Sequence, residues 1–214
     1  RPSKNVAKFL IKLKMNKTFT NRIFTSGQAA LKSLKTNQYG NFFFHLGPKR
    51  DSSLFEGFEK NKKSLIEADF ILCTGFLDKH EDNLDYYQKL LKEHTSLKMI
   101  CTNPDIIVHR GNKQEYCAGK LAEIFQDMGG EVIYFGKPYP EIYKFCIKKN
   151  EKVLVIGDNI RTDIKGANNM KLDSLLIING IHQSEFNKTN SKNYDKILEK
   201  YETKTSYYQE QLRW

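Results

Sequence analysis

Val153-Leu154-Val155-Ile156-Gly157-Asp158-Asn159-Ile160-Arg161-Thr162-Asp163-Ile164-Lys165-Gly166-Ala167 is the stretch on which the fold turns. A short apolar, β-branched run ends abruptly on a glycine and a carboxylate, which reads as a buried parallel strand delivering Asp158 to the carboxyl edge of a sheet. Asp163 follows at the start of a helix. In open α/β sheets that edge is where ligands bind, so two carboxylates at one strand end point to a Mg²⁺ site. Upstream, Val132-Ile133-Tyr134-Phe135-Gly136-Lys137-Pro138 has the same design with a lysine in place of the acid. Lysine and metal ligand are therefore expected at adjacent strand ends.

Strand and helix patterns alternate outward from this point, and they predict an α/β fold with a mostly parallel sheet and crossover helices. Ser3 is placed to cap a helix over 4–15, with Val6, Phe9, Leu10 and Leu13 on one face. Ile23 to Thr25 reads as a short strand, 28–35 as a helix, 41–46 as a strand and 47–57 as a long polar loop. Further strands are expected over 70–73 and 97–101, with helical spacing over 83–94 through Leu84, Tyr87, Leu90 and Leu91. An irregular loop is expected over 103–114, then a helix over 115–128 stopped by Gly129-Gly130. Three β/α units close the chain: strand 131–135 with helix 139–149, strand 152–156 with helix 162–170, and strand 173–178 with a charged helical tail.

A chain of 214 residues buries roughly 70% of its unfolded surface, enough for a core without disulfides. Cys73, Cys101, Cys117 and Cys146 show no paired spacing and read as small buried hydrophobes, which favours a reducing, cytoplasmic setting. No apolar run reaches the ~18 residues of a membrane span, and no signal-peptide core follows the N-terminus. The net charge of +10 invites an acidic partner. No acid precedes Asp51, whereas Lys4, Lys8, Lys12, Lys14, Lys17 and Arg22 do, a composition that an organelle transit peptide shares. A solvated helix face explains it more simply, and without interleaved aromatics or a known module a nucleic-acid contact is not expected.

Four blocks in this order resemble the haloacid dehalogenase superfamily of phosphohydrolases, subclass IIA, the NagD-like and 4-nitrophenylphosphatase-like branch. They are Thr102-Asn103-Pro104-Asp105, Cys117-Ala118-Gly119, Gly136-Lys137-Pro138-x-Pro140 and the run from Gly157 to Ala167. The resemblance implies a Rossmann-like core over 1–27 and 131–214 interrupted by an α/β cap domain over 28–130. It also implies Mg²⁺-dependent hydrolysis of a small phosphorylated metabolite through an aspartyl-phosphate, and caps of this branch often mediate homodimers. Lys137 would steady the nucleophile and the transferring phosphoryl group, Asp158 would ligate Mg²⁺, and Asp163 would support that site indirectly or through water. The loop bearing Asn103, Asp105, His109 and Arg110 would select the substrate.

The resemblance breaks at one place. The family's nucleophile motif, Asp-x-Asp-Gly, and the phosphate-binding Thr/Ser-Asn motif are both absent from the 214 residues. The expectation is a chain whose N-terminal core strands are missing and which is inactive by itself and prone to associate. A non-catalytic binding module of the same fold, using its basic face for an acidic partner, is the alternative. Each site residue also has a plainer role open to it: Lys137 as a surface lysine before a helix-starting proline, Asp158 in a strand-ending turn, Asp163 as a helix-start acid. Asn103 and Asp105 equally suit holding a loop by side-chain to backbone bonds.

Overall fold

The computed structural model describes residues 2–81, 83–110, 113–187 and 194–213, without the side chains of Ser33, His109, Arg110, Lys113 and Gln114. The chain divides into two units, Arg1–Gly136 and Lys137–Trp214.

In the first unit the elements are α1 (Ser3–Lys12), α2 (Ser26–Lys35), β1 (Phe43–Leu46), β2 (Phe70–Cys73), α3 (Leu84–Leu91), β3 (Lys98–Cys101), β4 (Ile107–Arg110), β5 (Lys113–Tyr116), α4 (Ala118–Asp127) and β6 (Glu131–Tyr134). Four strands form a parallel sheet in the order β1-β2-β3-β6. Their register sets Leu46 beside Cys73, Cys73 beside Cys101 and Cys101 beside Tyr134. Every residue of β2 is buried, as a parallel strand covered on both faces requires. Ile71, Cys73, Met99 and Cys101 pack with Tyr87 and Leu91 of α3 and Leu121, Ala122 and Phe125 of α4. Burying each large side chain of that set contributes about 1.5–3 kcal/mol. Helix α4 ends where Gly129 adopts a φ of +90°, a left-handed stop that costs glycine nothing.

Several local expectations are corrected here. Residues 107–116 are not irregular: β4 and β5 form an antiparallel hairpin, Ile107 opposite Tyr116, so α4 starts at Ala118 instead of 115. Ser3 is the first helical residue and not the cap, and its hydroxyl is buried with no hydrogen-bond partner among the described residues. Residues 23–25 make no strand, because the Thr25 hydroxyl accepts from the Gln28 amide at 3.1 Å and starts α2 directly. The loop over 47–57 holds a 3₁₀ helix, Lys49–Phe55, that buries Leu54 and Phe55. Strand β6 hydrogen-bonds to β3, which places it in the first unit's sheet and apart from the strand that carries Asp158.

The second unit contains α5 (Pro140–Cys146), β7 (Leu154–Gly157), a π-helical turn (Ile160–Ile164), α6 (Lys165–Asn169), β8 (Asp173–Ile177), α7 (Gln183–Asn187), α8 (Asp195–Lys200) and β9 (Tyr207–Gln209). β7, β8 and β9 form a parallel sheet in that order. Ile160, Ile164, Leu176, Ile178, Phe186, Ile197 and Leu198 are its apolar core. The polar C-terminal tail packs back as β9, pairing Leu175 with Tyr207 and Leu176 with Tyr208. β7 departs from the buried strand expected of it. It pairs only with β8 among the described residues, and Leu154 and Ile156 are 45% and 37% exposed.

Candidate active site

The turn after β7 is built by its own side chains. The Asn159 side-chain oxygen accepts from the Arg161 amide at 2.9 Å, and the Asn159 carbonyl accepts from the Asp163 amide at 2.8 Å. The wide π turn between them carries Asp163 back beneath the strand end, where it is buried. One Asp163 oxygen accepts from the Asn159 amide at 3.2 Å and the other from the ammonium of Lys137. The lysine is 49% exposed and the carboxylate 8%, so the pair joins a buried acid to a half-solvated cation. The backbone after Lys137 is tied down as well: the Asn169 amide group donates to the Pro138 carbonyl at 3.0 Å, and Pro140 begins α5.

Two glycines make this packing possible. A Cβ on Gly157 would stand 2.2 Å from the Asp163 Cγ, and one on Gly180 would stand 2.3 Å from the Asp158 Oδ2. Gly180 lies in the turn that follows β8, and the next residue, Ile181, donates its amide to Asp158 Oδ2 at 3.0 Å. The second oxygen, Oδ1, takes no hydrogen bond from a described residue. That arrangement fits Mg²⁺, which binds through one or two carboxylates and fills its remaining positions with water and phosphate oxygens. No group of three or more His, Cys, Asp or Glu side chains among the described residues forms a closed metal cage.

Tyr143 of α5 is a further buried polar group near this pair. Its hydroxyl has no hydrogen-bond partner among the described residues, and burial, then the charge of Asp163, pushes its ionisation well up. The structure thus brings Lys137, Asp163 and the Asp158 turn together, although the lysine arrives from a segment that follows a different sheet. Sequence reasoning missed Gly180 and the Ile181 amide; a glycine just beyond an apolar strand, Leu175 to Ile178, is the signal that marks them.

In the first unit, Asn103 and Asp105 hold a turn at the end of β3. The Asp105 amide donates to the Asn103 side chain at 3.4 Å, and the Asp105 carbonyl accepts from the Gly119 amide at 3.0 Å. A cavity of about 330 Å³ opens beside them, lined in part by Thr74, Thr102, Asn103, Tyr116 and Cys117. His109 and Arg110 lie on β4, but their side chains fall outside the described residues.

The HAD-hydrolase-like family profile matches residues 134–203, the segment that carries Lys137, Asp158 and Asp163. The ribonucleotide monophosphatase NagD of Escherichia coli (strain K12) is 32% identical over 88 residues, 39% of this chain and 34% of that protein. A haloacid dehalogenase-like hydrolase from Brucella suis 1330 superposes on the whole chain, and on 80% of its own, with a TM-score of 0.78 at 28% identity. The chain belongs to the haloacid dehalogenase-like hydrolases, in the branch of NagD and the p-nitrophenyl phosphatases. The fold of the branch is seen again in the p-nitrophenyl phosphatase from Archaeoglobus fulgidus, with a TM-score of 0.75 at 18% identity over 99% of this chain and 79% of that one. The match spans about a third of the length of the curated haloacid dehalogenase-like relative, 34%. No helix among the described residues is long and apolar enough to cross a membrane.

Proposed function

We propose that this chain supplies the lysine and metal-binding half of a Mg²⁺-dependent phosphatase that hydrolyses a small phosphate ester through an aspartyl-phosphate. The observation that carries the reading is the bond between Lys137 and buried Asp163, next to an Asp158 whose Oδ1 takes no hydrogen bond from a described residue. Held by Asp163, the Lys137 ammonium is a fixed positive charge for the transferring phosphoryl group, which in this chemistry needs positioning and charge compensation more than covalent help. Mg²⁺, bound through Asp158, supplies further neutralisation of the phosphoryl oxygens. Asp163 acts by keeping the lysine in place.

The nucleophilic aspartate is not among these 214 residues, so the chain alone is inactive in this reading. In this reading an α/β cap over 28–130 interrupts a core over 1–27 and 131–214, and the pairing of β6 with β3 supports moving the second boundary to 136. NagD is named for ribonucleotide monophosphates, and a small phosphorylated metabolite is the substrate class proposed here. The four free cysteines suit a reducing, cytoplasmic compartment.

The test compares hydrolysis of p-nitrophenyl phosphate by the 214-residue chain and by the longest in-frame product containing it. Mg²⁺-dependent turnover is expected from the longer product alone, and Asp158→Asn is expected to lower it at least 100-fold without unfolding the protein. Turnover by the 214-residue chain that survives Asp158→Asn refutes the reading.

A further inference from the structure

We propose that His182, Glu185, Tyr201 and Arg161 form a clamp that fixes the orientation of Asp158, and so act as positioning residues for the metal-binding carboxylate. The inference rests on the reading of Asp158 as a metal ligand. Its starting point is the Ile181 amide, which donates to Asp158 Oδ2 at 3.0 Å. The Ile181 side chain is 64% exposed, so its own packing does not hold that amide in place. The next residue, His182, is buried, and it anchors the turn instead.

His182 Nδ1 lies 2.7 Å from a Glu185 oxygen, and the Tyr201 hydroxyl donates to both Glu185 oxygens at 2.7 and 2.9 Å. An ionised carboxylate only accepts, so Nδ1 carries the proton in this pair. The bond from His182, with a contribution from Tyr201, holds the Glu185 carboxyl below its ordinary range. Burial, then the bond to Glu185, pushes the Tyr201 hydroxyl up, so it remains a neutral donor.

The link then returns to Asp158 by another route. The Arg161 guanidinium sits 4.8 Å from the centroid of the Tyr201 ring, a cation–π contact, and the Arg161 amide is bonded to the Asn159 side chain in the turn that follows Asp158. Tyr201, at the end of α8, therefore ties the turn after β8 to the turn after β7. Asp158 lies between the two, with Oδ2 bonded to the Ile181 amide and no hydrogen bond to Oδ1 from a described residue. Phe186, Ile197 and Leu198 bury the apolar faces of α7 and α8, and the Tyr201 ring packs against the same cluster, so its polar links are additional to that packing.

Amide hydrogen exchange on the metal-free 214-residue chain tests the clamp. Glu185→Ala is expected to speed exchange at Ile181 about tenfold while Leu175 to Ile177 of β8 keep their protection. Glu185→Gln, whose carbonyl still accepts from Tyr201, should restore most of it. Tyr201→Phe keeps the ring under Arg161 and should fall between. Mn²⁺ titration, read from the free-ion electron paramagnetic resonance signal, should weaken about tenfold in Glu185→Ala, the low end for loss of an outer partner of a metal ligand. Unchanged Ile181 exchange in both Glu185→Ala and Tyr201→Phe overturns the clamp, and so does a uniform loss of protection across β8. If Asp158→Asn leaves Mn²⁺ binding as it was, the metal reading fails instead, and the exchange data still decide the clamp.

Discussion

Replacing Gly157 by alanine should damage the site through packing alone. The added Cβ would lie 2.2 Å from the Asp163 Cγ, 2.3 Å from its Oδ2 and 2.4 Å from its Cβ. Carbon atoms settle at about 3.5 Å, so Asp163 must retreat by more than about 1 Å. Its Cβ is fixed to the π turn, so rotating the side chain does not relieve the overlap. Overpacking of this kind costs about 1–3 kcal/mol. The retreat also weakens the bonds from Lys137 and from the Asn159 amide; charged hydrogen bonds are worth about 1.5–3 kcal/mol each, and water recovers part of the loss at the half-exposed lysine. A total near 3 kcal/mol follows, and with a urea slope of about 1.5 kcal/mol/M the midpoint should fall by about 2 M. Urea unfolding followed by circular dichroism measures it. A shift below about 0.5 kcal/mol, the range of inconsequential surface changes, refutes the close approach of strand end and carboxylate.

Three further outcomes are expected. Burial, aided by Lys62, lowers His45 from 6.5 to about 4, so the unfolded chain binds a proton between those values that the folded one does not; stability should fall by about 3 kcal/mol as pH drops through that window. His45→Gln should flatten that dependence in urea midpoints taken from pH 7 to 4. Tyr143→Phe removes a buried hydroxyl that has no partner among the described residues and should be neutral or stabilise by up to about 1 kcal/mol in the same assay; a loss larger than that would show that the hydroxyl has a partner. Lys137→Met strands the buried Asp163 carboxylate and should cost about 2 kcal/mol, less than a fully buried pair because the lysine is half-solvated. Adding Asp163→Asn should return part of that loss, and a strictly additive double variant would argue against the pair.

What the sequence determined on its own is local. The run from Val153 to Asp158 ends a strand on an acid, the glycine after Met128 stops a helix, and the spacing of Leu84, Tyr87 and Leu91 makes a helical face; each follows from neighbours a few residues apart. The order of Gly136-Lys137-Pro138 and Gly157-Asp158 was also enough to mark the family and the candidate site residues. The β4–β5 hairpin, by contrast, reads as a loop, because its two short strands carry too little apolar alternation to stand out.

Only the tertiary structure decided which strand pairs with which. The apolar patterns of β6 and β7 are alike, yet β6 joins β3 while β7 joins β8, because hydrogen-bonding partners are chosen by chain segments distant in sequence. The same holds for the exposed Leu154 and Ile156: an apolar strand reads as buried, but burial depends on what lies against it. The site shows the division most clearly. Asp158 and Asp163 stand out in the sequence, whereas the amide of Ile181, the room left by Gly180 and the tie through Tyr201 come from residues well downstream, and backbone groups and empty space leave no side-chain pattern to read.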